Sequence, residues 1–188
     1  RVYSCVTTQD DWLAILLAGA ICFLTSVAAI NLFHRACATT GGTRTLWLVT
    51  TGAATGYGVW ATHFIAMLAY STGVPVGYDL TLTVLSLLAA AVVTGVGFAV
   101  SAESKAPWAA QVGGAIFGLG VAVMHYTGMW ALEVPGQVTW SIGLVLASIA
   151  LGVLFGIAAL FVAMRGSGIQ STLVSALFLT LAIVAHHF

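Results

Sequence analysis

Six uncharged apolar runs, each long enough to cross a bilayer, leave this chain little to become except a membrane-embedded helical bundle. They are Trp12 to Phe33, Leu46 to Tyr70, Leu80 to Val100, Trp108 to Leu132, Trp140 to Met164 and Ile169 to Phe188. A transmembrane helix needs ~20 predominantly apolar residues. All ten charged side chains of the 188-residue sequence fall outside the runs, and at 5% they are far below the usual quarter of a soluble domain. A membrane β-barrel would show ~10-residue segments alternating apolar and polar, which these continuous runs do not. The expected fold is therefore all-α: a polytopic bundle of six transmembrane helices, with residues 1–188 forming one membrane domain. Zero net charge and the lack of any Lys/Arg cluster remove the electrostatic basis for binding nucleic acid.

Charge placement orients the bundle. Arg35 and Arg44 flank the first connection, Lys105 lies in the third and Arg165 closes the fifth, whereas the second (Asp79) and fourth (Glu133) contain no basic residue. The positive-inside rule then puts the N-terminus outside, with Arg1 as the one outer exception, and Trp12, Trp108 and Trp140 stand at span starts as interfacial anchors do. A signal peptide ending at Ala36-Cys37-Ala38 is rejected, because Asp10 and Asp11 precede the first run and 22 apolar residues exceed a signal core. This topology separates the cysteines: Cys5 outside, Cys22 within the first helix and Cys37 on the cytoplasmic side, so they cannot pair within one chain.

The sequence also repeats. A shift of 62 positions lays Leu46–Tyr70 on Trp108–Leu132 with eight identities in 25, where about two are expected by chance. They include Gly52/Gly114, Gly56/Gly118, Gly58/Gly120, His63/His125 and Met67/Met129. A second step carries His125 to His187 and Tyr126 to Phe188, so a third copy is present and cut off. Each unit is an outward-running helix plus a returning one, a parallel helix-pair repeat. The second, fourth and sixth helices then run in one direction and place His63, His125 and His187 at one depth, ~10 Å below the outer boundary. Gly52/Gly56, Gly114/Gly118 and Ala176/Thr180 are small pairs four apart, as close helix packing requires.

Those histidines carry the chemistry. Met67 and Met129 follow His63 and His125 by four positions, which puts an imidazole and a thioether on one helix face. Polar groups in hydrocarbon are costly and face the interior of a bundle, and no carboxylate lies in these spans to pair with a charged ring. A neutral imidazole keeps a nitrogen lone pair. Imidazole with thioether suits copper, especially Cu(I), and does not suit Mg²⁺ or Ca²⁺. Zinc, haem held by a His pair, and packing without any metal are the alternatives. The candidate ligands are His63, Met67, Met124, His125, Met129 and His187. His186, about 100° round an ideal helix from His187, is an alternative or supporting ligand. His34, beside Arg35, reads as a residue favourable to a helix C-terminus.

With "GYGVWATHFIAMLAY", "GLGVAVMHYTGMWAL" and the Cys5–Gln9 segment in view, essentially the whole chain resembles the MHYT domain of bacterial integral-membrane sensors, named for a motif present as Met124-His125-Tyr126. The resemblance implies seven helices, of which six are visible here. It also implies a sensor of oxygen, carbon monoxide or nitric oxide acting through copper near the outer face, in the bacterial inner membrane, ahead of a cytoplasmic output domain that makes or degrades cyclic di-GMP. Thr62 and Phe64 replace the named Met and Tyr in the first copy, and His186 and Phe188 do so in the third, so roles for that Met and Tyr transfer only to Met124 and Tyr126.

The expected activity is thus gas or redox sensing by a non-enzymatic chain whose partners are the lipid bilayer, a diatomic gas, an output domain and, as one arrangement, a second copy. Membrane electron transfer through haem and a small transporter are the rival classes. The transporter is disfavoured because Pro75, Pro107 and Pro135 all lie at or beyond span ends. No nucleophile, base and orienter can be assembled from the spacings.

Overall fold

The computed structural model describes residues 12–69, 76–135 and 139–187. The expectations attached to Arg1, Cys5, Asp10, Asp11, Tyr70, Pro75 and Phe188 lie outside them. Among the described residues there are six α-helices: α1 (Trp12–Cys37), α2 (Gly41–Ala69), α3 (Leu80–Glu103), α4 (Ala109–Trp130), α5 (Ile142–Ala163) and α6 (Ile169–Val184). Two two-residue strands, β1 (Gly77–Tyr78) and β2 (Leu132–Glu133), stand between α2 and α3 and after α4. Four helices are long and apolar enough to cross a membrane: α1 from Ile15, α3, α4 and α5. The chain is therefore a multi-pass membrane protein. Thr and Gly dilute the hydropathy of the 29-residue α2, and α6 has only 16 residues, ~24 Å of helix.

Several helix ends depart from the apolar runs. α1 continues past Phe33 and takes His34 and Arg35 into its last turn, where positive charge complements the helix dipole. The chain then reverses within three residues onto Gly41, whose φ of 59° is the only positive value among the described residues. A side chain with a Cβ would be strained there. α2 starts five residues before Leu46 and includes Arg44, whose Nε donates to the Thr39 carbonyl at 2.8 Å. At the other extreme α6 stops at Val184, short of both terminal histidines. His186 N–H reaches the Ile183 carbonyl (3.3 Å) and His187 N–H the Val184 carbonyl (2.9 Å), the i→i−3 pattern of a tightened last turn.

Each helix packs on its neighbours in the chain, and α6 returns onto α1, closing a ring. α2 and α4 also touch across the interior, as do α4 and α6. The buried faces recur along the sequence. Ser86, Ala90, Thr94, Gly97, Phe98 and Ser101 of α3 are matched 62 positions on by Ser148, Gly152, Gly156, Ala159, Leu160 and Ala163 of α5. Ala18, Cys22, Ser26, Ala29, Ile30 and Phe33 repeat the same spacing on α1. Glycines set the closest seams: a Cβ at Gly52 would lie 2.8 Å from Gly95 Cα, and one at Gly118 would lie 2.5 Å from the Gly152 carbonyl oxygen. Below the histidines, Phe33, Phe98 and Phe117 fill the centre, with ring centroids 5.1 and 5.7 Å apart in succession.

The strands pair antiparallel, Gly77 with Glu133 and Tyr78 with Leu132, and Asp79 N–H donates to the Ala131 carbonyl at 2.8 Å. They tie together the two connections at the end of the bundle where the histidines lie. The Asp79 carboxylate also accepts from Leu82 N–H at 2.7 Å and so caps α3. Nothing in the apolar periodicity announced this ladder.

Candidate metal centre

His63, in the last two turns of α2, His125, at the matching place in α4, and His187, in the turn after α6, meet at one point. One ring nitrogen from each lies within 4.8 Å of the others. The ring centroids are 5.0 Å apart for His63 and His125, 5.3 Å for His63 and His187, and 5.0 Å for His125 and His187. Rings so close share one depth to within ~5 Å. His63 is wholly buried, His125 is buried, and His187 is half-buried.

The polar atoms there are left over. Both ring nitrogens of His63 and Nδ1 of His125 are buried with no hydrogen-bond partner among the described residues. An unsatisfied buried polar atom costs ~1–3 kcal/mol, so three in one spot need something to bind. Three imidazole nitrogens held at ~2.0–2.1 Å by one metal stand ~3.6 Å apart in trigonal geometry, so the rings would have to draw in by up to about 1.2 Å. The donor set is all nitrogen, with no carboxylate in the cluster, which fits a borderline or soft transition metal and not an oxygen-seeking cation.

A glycine of α4 forms a further wall of the histidine cluster. A Cβ at Gly128 would fall 2.6 Å from His63 Nε2, so the bare backbone of α4 three residues past His125 makes room for the ring from α2. The first copy has Ala66 at the corresponding position. A glycine where its repeat partner is alanine was the only clue the sequence offered.

The other candidates are distributed unequally. Met67 and Met129 lie one turn beyond their histidines and are half-buried. Met124 is wholly buried and belongs to the apolar core cluster. His186 stands outside the three-histidine group, its centroid 5.8 Å from that of His125. Its Nδ1 donates to the Ala182 carbonyl at 3.0 Å, its Nε2 is buried without a partner among the described residues, and its ring covers the backbone of Gly152. The i→i−3 turn, not an ideal helix, sets its angle to His187.

Aromatic side chains enclose the site. Phe64 packs edge-on to His63 at 5.0 Å and to Tyr78 of β1 at 5.2 Å. Tyr126 does the same with His125 at 5.1 Å and Trp140 at 5.5 Å. Tyr78 and Trp140 are also 62 positions apart. The Tyr126 hydroxyl and Ser148 Oγ are 2.6 Å apart, and both reach the Val145 carbonyl, at 3.5 and 2.9 Å. His34 lies elsewhere, as expected, but does more than end a helix. Its Nε2 donates to the Ala163 carbonyl at 3.0 Å and its Nδ1 faces Thr172 Oγ1 at 3.5 Å, pinning α1 to α5 and α6.

Comparison with known proteins recovers the 62-residue repeat. The family described as MHYT, "Bacterial signalling protein N terminal repeat", matches residues 56–114 and again 118–176, two copies offset by 62 positions. An uncharacterized signaling protein of Caulobacter vibrioides is 40% identical over 188 residues, all of this chain and 23% of that protein. The bifunctional diguanylate cyclase/cyclic di-GMP phosphodiesterase MucR of Pseudomonas aeruginosa is 38% identical over 147 residues, 77% of this chain and 21% of its own length. The cyclic di-GMP phosphodiesterase NbdA of the same organism is 35% identical over 144 residues, 71% of this chain and 18% of its own. The chain thus spans about a fifth of the length of these relatives. No solved structure matches. The repeat matched in two successive copies, the membrane helices that carry it and similarity over all of this chain to a stretch of a signalling protein make this chain a member of the MHYT family.

Proposed function

We propose that the chain is a membrane sensor domain in which His63, His125 and His187 hold a copper ion near the non-cytoplasmic face and report a diatomic gas or a redox change. The observation that carries this reading is the convergence of three imidazoles, with both ring nitrogens of His63 and Nδ1 of His125 buried and without a hydrogen-bond partner among the described residues. Met67 and Met129 are the additional thioether ligands of the proposal, and Met124 and His186 stand behind them. A bound copper ion would supply an open coordination position for oxygen, carbon monoxide or nitric oxide and a one-electron change of state.

The chain's own residues do the rest. Gly128 leaves room for the His63 ring, and Phe64, Tyr78, Tyr126 and Trp140 exclude water around the rings. The three histidines come from α2, α4 and the end of α6, so how tightly they are drawn together sets the spacing of those helices against α1, α3 and α5. A signal requires that the occupied and empty states favour different spacings; binding alone shifts nothing. In this reading the six helices all cross the bilayer, α2–α3 and α4–α5 as complete repeat pairs and α6 as the first helix of a third, the N-terminus lies outside in the bacterial inner membrane, and the controlled output is cyclic di-GMP turnover in a cytoplasmic domain of the full-length protein.

The test is metal analysis of protein purified with and without oxygen. About one copper per chain is expected, with His125→Ala reducing it to background. Copper-free preparations in both atmospheres, with metal restored by neither Cu(I) nor Cu(II), would exclude the metal. A Soret band would instead favour haem.

A further inference from the structure

The outer wall of the ring carries a groove lined by small residues. Between α2 and α3 runs a groove with a cavity volume of about 480 Å³, floored by Gly52, Ala91, Gly95 and Ala99 and flanked by Val49 and Val96. The equivalents of Ala91, Gly95 and Ala99, 62 positions on, are Val153, Ile157 and Phe161 of α5. Larger side chains thus stand along the α4–α5 seam where α3 presents small ones.

The ends of the groove differ too. It opens at Thr45 and Glu103, at the end of the bundle away from the histidines. Glu103 is exposed and makes no ion pair among the described residues. Its repeat partner is Arg165, whose guanidinium sits 3.9 Å above the Phe161 ring. The groove's far end is at Ala91, twelve residues before Glu103, or ~18 Å of helix. That is about one leaflet of a ~30 Å hydrocarbon core, too short for a crossing helix and the right reach for an acyl chain.

We infer that the α2–α3 groove is a lipid site, which holds one acyl chain of a phospholipid whose headgroup carries a primary ammonium, with that ammonium on the Glu103 carboxylate. Lys105, two residues beyond, supplies the opposite charge for the headgroup phosphate. The site stands on the membrane character of the chain and not on the metal reading, so either can fail without the other.

Native mass spectrometry of the detergent-solubilised chain, titrated separately with phosphatidylethanolamine, phosphatidylcholine and phosphatidylglycerol of the same acyl chains, tests this. One phosphatidylethanolamine per chain is expected, bound about fivefold more tightly than the other two, the size of one headgroup–charge contact. Ala99→Phe, which installs the α5 residue, should abolish retention, and Glu103→Gln should remove the headgroup preference while leaving a bound lipid. Circular dichroism confirms that each variant is folded. Phe161→Ala with Arg165→Glu should open a second site in the sister seam. Equal retention by wild type and a folded Ala99→Phe, absence of headgroup preference in the wild type, or cross-linking of Val96 to a second copy would each overturn the proposal.

Discussion

At the scale of single residues, the decisive atoms are those whose absence makes room and those whose presence ties helices together. Gly128 is the first kind, because a methyl group there would overlap His63. Gly128→Ala is expected to displace that ring and lower copper per chain severalfold while helix content is retained, as read by metal analysis alongside circular dichroism. His34 is the second kind, joining three helices through two ring nitrogens. His34→Leu keeps the bulk but leaves the Ala163 carbonyl unpaired, which should cost ~1–3 kcal/mol, measured as a lowered unfolding midpoint with metal content unchanged. The spacing from Arg35 identified His34 as a helix-terminal residue; its partners, 129 and 138 positions away, belong to no local pattern.

Elements meet here through backbone rather than through interdigitating large side chains. A Cβ at Gly118 would strike the Gly152 carbonyl oxygen and Val153 Cα at 2.5 and 2.6 Å, atoms that cannot swing aside. Gly118→Ala is therefore expected to destabilise by the ~1–3 kcal/mol of overpacking. Gly19 of α1 and Gly143 of α5 have nothing within 4 Å of the corresponding position. There an alanine should raise the unfolding midpoint, more at Gly19, where an interior helix glycine costs ~1 kcal/mol against alanine, than at Gly143 in the first turn of α5. A differential thermal scan of the three variants separates the two cases. All six helices were legible as long apolar runs, and four of them are long and apolar enough to cross a membrane, because a bilayer-length run without charge has one stable backbone solution. The ends were not: Arg44, excluded from an apolar run, lies inside α2, and the helix of the last run stops before its histidines.

For the whole molecule, the ring closed by α6 on α1 is what turns three separated histidines into one centre. If the centre holds copper in the folded state alone, saturating metal should stabilise the chain by ~4 kcal/mol at a thousandfold excess over Kd. A chelator should reverse the gain, and His187→Ala should abolish it. The proposed orientation predicts that a single cysteine at Ser104 labels from the cytoplasmic side and one at Val134 from the opposite side. Labelling of both from one side in sealed vesicles would contradict that topology.

The sequence by itself determined that the chain is helical and membrane-embedded, that it carries a 62-residue recurrence, and which imidazoles share a register, because charge exclusion and periodicity are local properties of the string. Only the tertiary structure decided that those rings come within 4.8 Å of one another, that Gly128 cradles His63, that His186 turns onto Gly152, and that β1 and β2 tie the two connections beside the histidines together. Each of these is a meeting of segments far apart in the chain, set by which helix faces pack when the ring closes, and no one-dimensional pattern records that choice.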